Sequence, residues 1–365
     1  MIPGKATAEG TRRFAVRSPA APEHFRDAAG LSLSSLGLGT YLGPEDAATD
    51  RGYEECVGLA LSAGVNVFDS AINYRGQKSE RAIGRALAAA FDGGAVRRDE
   101  VFVSTKGGFL PHDADDPREP RAYILETFVE SGLADRGQIA RGGHCIAPAY
   151  LRDQIERSRR NLGLATIDLY YLHNLETQRT AVPAAAFTER LRAAVEVLEE
   201  AAGDGRIASW GLATWDGLRS PPEHPEHLSL DAILALAREV GGAGHRFRAV
   251  QLPVNLAMPE AIAYPSQPVA GRRIPALSAA AELGLAAFGS ASILQGRLAG
   301  ELPEELREAF SAARPGAQTA LQFSRSAPGM TASLVGVSTP EHAAEDFDLA
   351  RLAPAPSDAV LGLFS

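Results

Sequence analysis

From residue 36 onward the chain alternates between short apolar runs and longer stretches in which apolar residues recur every three or four positions. The first pattern predicts buried strands and the second amphipathic helices. Leu36-Gly37-Leu38-Gly39-Thr40 opens the series, and Tyr53, Cys56, Val57, Ala60 and Leu61 then share one helical face. Further strands are predicted at 65–68, 101–105, 167–172, 207–212, 249–252, 285–288 and 333–337. Helices fall between them, at 79–90, along Leu151, Ile155, Ser158 and Leu162, along Leu191, Val195 and Leu198, along Ile233, Leu234 and Ala237, and at 276–283. One or two helices are expected within 290–322, and a last one at 340–349 starts on Pro340, a residue suited to the first helical position. Eight strand–helix pairs imply a parallel sheet, and eight is the number that closes one into a barrel. The rival, an open doubly wound sheet, needs a Gly-rich turn after a strand, and none is present. The predicted fold class is therefore α/β, a (β/α)8 TIM barrel.

Three regions fall outside the alternation. Residues 1–23 are polar and rich in Pro and Ala, and read as a flexible tail. Residues 24–33 read as a strand, a turn at Asp27-Ala28-Ala29-Gly30 and a second strand, a β-hairpin ahead of the barrel. A long interruption, about 109–148, follows the third strand and carries the run His112-Asp113-Ala114-Asp115-Asp116. Loops of this length inside a domain are functional or disordered, and this one lies at the mouth, where it would line a substrate site or form a subunit contact. Residues 24–365 are expected to form a single domain.

Composition narrows the function. The chain has 365 residues, of which 45% are hydrophobic and 22% charged. Its net charge of −9, with no basic stripe to offset it, argues against a nucleic-acid partner. No stretch approaches the roughly 20 apolar residues that span a bilayer, and residues 1–16 lack the apolar core of a secretory signal. Two cysteines, Cys56 and Cys145, cannot build a disulfide framework, so a reduced, cytoplasmic protein is expected. They are also too few for a usual zinc site. The acidic run and the pair His144-Cys145 are accordingly read as solvated loop, and no metal is expected. Oligomeric state cannot be read from the sequence.

Of 36 basic residues only three are lysines, Lys5, Lys78 and Lys106. A lysine at the end of a buried strand then stands out, because it can titrate where arginine cannot. Asp69 and Tyr74 close the second strand, Lys106 the third and His173 the fourth. Consecutive strand ends are neighbours on one rim of a barrel, so these four side chains can converge. Tyrosine is a weak acid, with an ordinary pKa near 10. A neighbouring ammonium would lower that value, Asp69 would hold the lysine charged, and His173 would orient a substrate oxygen. The set suits protonation of an oxyanion as it forms.

These segments resemble the aldo-keto reductase superfamily. The likeness is carried by Leu36-Gly-Leu-Gly-Thr40, Val67-Phe-Asp-Ser-Ala-Ile-Asn-Tyr74 with Ser79-Glu80, Val103-Ser-Thr-Lys106, Ile167-Asp-Leu-Tyr-Tyr-Leu-His173 and Val250-Gln251. The resemblance implies an NAD(P)-dependent reductase of aldehydes or ketones, with Tyr74 as proton donor supported by Asp69, Lys106 and His173. It implies a small-molecule carbonyl or alcohol partner and a cofactor lying extended across the barrel mouth, NADP(H) ahead of NAD(H). Gly39, Thr40, Asp69, Asn174 and Gln251 would meet its nicotinamide end, and Phe288 would stack on the ring. Ser290, Ala291 and Ser292 would lie over the pyrophosphate. Gly336, Ser338, Thr339, His342 and Glu345 would meet the adenosine end. The chain departs from the family pattern in having Ala213-Thr214 after strand five, His342 where a stronger base grips the 2′-phosphate, and Asp346 in place of Asn. A nicotinamide-binding regulatory protein with little turnover, and a lyase using Lys106 as a Schiff base, are the alternative readings.

Overall fold

The computed structural model describes residues 1–310 and 316–364. Twelve strands are present among the described residues. β1 (Phe25–Ala28) and β2 (Leu31–Ser34) form an antiparallel hairpin with Phe25 opposite Ser34 and Ala28 opposite Leu31. β3 (Leu36–Gly39), β4 (Val67–Asp69), β5 (Phe102–Gly107), β6 (Leu169–His173), β7 (Trp210–Ala213), β8 (Phe247–Pro253), β11 (Ala286–Ser290) and β12 (Ala332–Gly336) are parallel and close into an eight-stranded barrel. β9 (Gln267–Val269) and β10 (Arg272–Ile274) form a small side hairpin.

Each barrel strand falls on a predicted apolar run, with bounds displaced by a few residues. The second strand begins at Val67 rather than 65 because Asn66 is used otherwise. Its side chain accepts from Ser34 N at 2.9 Å and donates to Ser32 O at 3.0 Å, which ties the hairpin to the closed end of the barrel. Inward side chains, among them Val67, Phe102, Leu169, Tyr171, Ala249, Phe288 and Leu334, fill the barrel. A larger cluster packs the surrounding helices onto the strands. Alternation of side chains across each strand separates the two.

Two expectations need correction. The first 23 residues are not a free tail. Ala8–Arg17 is a helix capped by Thr7, whose hydroxyl accepts from Gly10 N at 3.0 Å. Phe14 is buried, Ala6 N donates to Asp168 Oδ1 at 2.7 Å, and Arg13 and Arg17 both pair with the buried Glu100. The docking rests on one aromatic, backbone amides and ion pairs, so no apolar stripe announced it.

The acidic run after β5 is not a solvated loop either. Asp113 pairs with Arg81 at 2.6 Å, and Asp115 with Lys78 at 2.5 Å and Arg81 at 2.6 Å. Both partners lie on the helix Lys78–Asp92. The interruption also has a core of its own, in which Leu110, Tyr123, Phe128, Ala134, Cys145, Ala147 and Tyr150 pack together. Among the described residues no helix is long and apolar enough to cross a membrane.

Candidate active site

The parallel register carries the polar residues to one end of the barrel. Asp69 ends β4 beside Ser104 of β5, Lys106 lies beside Tyr171 of β6, and His173 lies beside Ala213 of β7. Asp69 is the hub. It accepts from Lys106 Nζ at 2.5 Å, from Ser104 Oγ at 2.6 Å and, across the barrel, from Gln251 Nε2 at 3.0 Å. Lys106 Nζ also donates to Ser70 O at 2.7 Å. Burial lowers the pKa of Lys106, and the Asp69 carboxylate opposes that shift.

Tyr74 stands over this pair. The Lys106 ammonium lies 5.1 Å from the centre of its ring, and the ring meets His173 edge-on at 5.9 Å. The expected depression of the tyrosine pKa is not present in the resting site. Burial and the Asp69 charge hold the phenol well above its ordinary value, because the ammonium is engaged by Asp69 and faces the ring. Tyr74 therefore rests as a protonated donor. His173 is held neutral, its pKa pushed well below the ordinary value by burial and then by the Lys106 charge. Its Nδ1 is buried without a hydrogen-bond partner. An orphaned lone pair is tolerated better than an orphaned N–H, so the proton belongs on Nε2, where it can be given to a ligand oxygen.

A cavity of about 430 Å³ opens above these groups, lined by Gly39, Thr40, Asp69, Tyr74, His173, Asn174, Gln251, Ser290, Ala291, Ser292 and Gly336 among others. A second cavity of about 380 Å³ shares Leu42, Ile293, Gln295 and Gly336 with it and extends past Ser338, Thr339, His342, Glu345 and Asp346. Together they form an elongated groove across the barrel mouth. Thus the predicted residues gather there, with two exceptions. Lys106 lies beneath the floor. Phe288 lies elsewhere, which corrects its expected place against the nicotinamide. It points into the barrel as Ser290 does but two residues lower, stacked on Phe102 at 5.7 Å with planes 5° apart, and it lines a cavity at the opposite end.

Sequence reasoning missed Tyr41, Phe109 and Trp215, the aromatic walls of the upper cavity. Tyr41 and Trp215 directly follow Thr40 and Thr214 at strand ends, which was a usable signal. Phe109 comes from the interruption after β5. Ser104, one of the three donors to Asp69, gave none. At the far end of the groove Asp346 is buried, and burial together with the Glu345 charge pushes its pKa up to about 7.

The family model described as the aldo/keto reductase family matches residues 35–221, just over half of the sequence. The chain belongs to the aldo/keto reductase family. Among curated proteins it is similar to the aldo-keto reductase family 1 member C23-like protein of Equus caballus, 28% identical over 138 residues. That match covers 38% of this chain and 31% of the relative, so the chain spans about a third of the length of the curated relative it matches. Among solved aldo/keto reductases it resembles one from Klebsiella pneumoniae in complex with NADP and acetate, with a TM-score of 0.61, 18% identity and 94% of each chain covered. A glycerol dehydrogenase, AKR11B4 of Gluconobacter oxydans, gives a TM-score of 0.58 at 19% identity, covering 90% of each chain. At such identities the likeness is one of fold.

Proposed function

We propose that this aldo/keto reductase reduces an aldehyde or ketone to an alcohol with a nicotinamide dinucleotide, Tyr74 supplying the proton. The observation that carries the reading is the buried Lys106–Asp69 pair packed under the Tyr74 ring with neutral His173 beside it. The groove suits a dinucleotide in the polar atoms it offers. Thr214 Oγ1 and Asn73 Oδ1, both in residues that line the upper cavity, are buried without partners. Gly39, Thr40, Asn174 and Gln251 would hold the nicotinamide end. Ser290, Ala291, Ser292 and Gly336 would run along its middle, with Ser338, Thr339, His342 and Glu345 at the adenosine end. Bound there, the cofactor supplies the hydride.

The residues of the chain supply everything else. His173 Nε2–H and the Tyr74 hydroxyl both donate to the carbonyl oxygen and orient it. As negative charge develops on that oxygen, the tyrosine proton passes to it. The Lys106 ammonium, 5.1 Å from the centre of the ring, stabilises the phenolate left behind, and Asp69 keeps the ammonium charged and in place. Tyr41, Phe109 and Trp215 give the upper cavity aromatic walls against which a carbonyl substrate would pack.

NADP(H) is the proposed cofactor, as the similar Klebsiella structure is a complex with NADP. The test is Tyr74→Phe, assayed with p-nitrobenzaldehyde and NADPH. Reduction should be lost while fluorescence titration still shows NADPH binding. Turnover by the variant at the wild-type rate would sink the assignment.

A further inference from the structure

The segment between β5 and the helix Pro148–Leu162 leaves the active site at Phe109 and returns to it at His144. Its Nε2 lies 2.6 Å from the carbonyl oxygen of His173. Its Nδ1 lies 3.1 Å from Gln178 Nε2, whose amide also donates to His144 O at 2.8 Å. The orientation of that amide is fixed in turn, because Arg190 donates to Gln178 Oε1 at 2.7 Å. An NH2 group can only donate, so Nδ1 of His144 accepts, and Nε2 carries the proton given to His173 O. Every polar contact in this chain of four groups has one allowed direction.

The target of that bond matters. The next residue, Asn174, adopts a left-handed backbone with φ of 46°, a conformation that costs free energy for a residue with a side chain, though least for Asn. The peptide joining His173 to Asn174 is held on both sides: its carbonyl accepts from His144, and its N–H donates to Ala213 O at 2.6 Å. The rest of the contact has been cleared for this approach. A Cβ on Gly108 would lie 2.8 Å from His144 Nε2 and 2.9 Å from His173 O. Phe109 packs edge-on against both imidazoles, at 5.0 Å and 5.1 Å, and forms a wall of the cavity.

We propose that His144 is a positioning residue for carbonyl reduction, holding the His173–Asn174 peptide so that the His173 ring faces the substrate oxygen. The proposal rests on the function given above for His173. Burial supports it by lowering the His144 pKa to about 4, so the neutral tautomer the contact requires persists at working pH. The segment after β5 thereby becomes part of the catalytic apparatus. Misplacement of a reacting group by about 1 Å can cost about 100-fold in rate, so the bond has leverage without touching substrate.

The test compares His144→Phe, which keeps a ring and loses the donor, with His144→Gln, whose amide N–H can reach the same carbonyl. With p-nitrobenzaldehyde and NADPH, His144→Phe should lower kcat by about 10- to 100-fold while the NADPH Kd stays within about twofold. His144→Gln should recover most of the loss. Nitrogen NMR spectra of histidine-labelled enzyme should show the His173 signals moved in His144→Phe and restored in His144→Gln. A His144→Phe enzyme as fast as wild type overturns the proposal. So does a His144→Gln enzyme equally impaired, with NADPH binding and melting temperature lost alongside, since that outcome is packing alone. If the wild type reduces no carbonyl, the function reading fails, and unmoved His173 signals in His144→Phe would separately overturn the role of His144.

Discussion

The convergence of Asp69, Tyr74, Lys106 and His173 was legible because three of them lie at the ends of barrel strands and Tyr74 follows β4 by a short turn, and the rim of a barrel turns sequence distance into spatial proximity. Phe288 was misread for a related reason. A period of two tells whether a side chain points inward, not how deep in the barrel it sits, and one pair of residues separates Phe288 in the interior from Ser290 at the mouth. Asp346 was singled out in the sequence, but its protonation needed the structure. With its pKa raised from 3.8 to about 7, the native carboxyl keeps a proton between those values that the unfolded chain has released. Folding in that window takes up a proton, so stability is greatest at its acid end and falls as pH rises toward 7. Asp346→Asn should therefore match the wild type near pH 4 and exceed it at pH 8, by up to about 4 kcal/mol at roughly 1.4 kcal/mol per unit. Urea unfolding of the apo protein at the two pH values checks the sign. In the same variant NADPH binding should lose its decline above pH 7, where an ionised Asp346 would repel a 2′-phosphate.

At the scale of elements, the groove depends on how helices abut loops. The helix Ala47–Ala63 passes so close to the Ser338 end of the groove that a Cβ on Gly52 would lie 2.2 Å from Ser338 O. Gly52→Ala should push that loop aside, destabilise the protein by about 1–3 kcal/mol as overpacking does, and weaken NADPH binding. The carbonyl kcat at saturating cofactor should hold, because Tyr74, Lys106 and His173 stand on other elements; steady-state kinetics separates the two effects. The segment after β5 shows why some elements resist sequence reading. Its apolar residues follow neither a helical nor a strand period, and one stretch, Leu125–Glu130, is a π-helix. The small core they form is visible only once residues far apart in the segment are brought together.

For the whole molecule, the eight strands were readable because parallel strands are buried on both faces and appear as apolar runs. The end opposite the mouth was not. There the N-terminal helix and the β1–β2 hairpin pack on the barrel through backbone bonds, such as Ile2 N donating to Gly163 O at 2.7 Å, and through ion pairs of Arg13 and Arg17, contacts that leave no apolar period in the sequence. Deleting residues 2–17 would expose the contacts of Phe14 and remove the Ala6 donor from Asp168. Burial of one aromatic and loss of a donor to a buried carboxylate together predict about 3–5 kcal/mol of lost stability, measurable by urea unfolding, with the mouth left intact.

The placement of the two tryptophans gives the protein an optical handle. Trp210 is sealed in the wall of the barrel, stacked on Phe247 at 4.6 Å, whereas Trp215 is 41% exposed and lines the upper cavity. One indole is thus shielded from solvent and from anything that enters the groove, and the other stands where an incoming dinucleotide or aldehyde would pass. Emission from Trp215 can report occupancy in real time against the constant background of Trp210, so that the order in which the two ligands arrive can be followed without any added label.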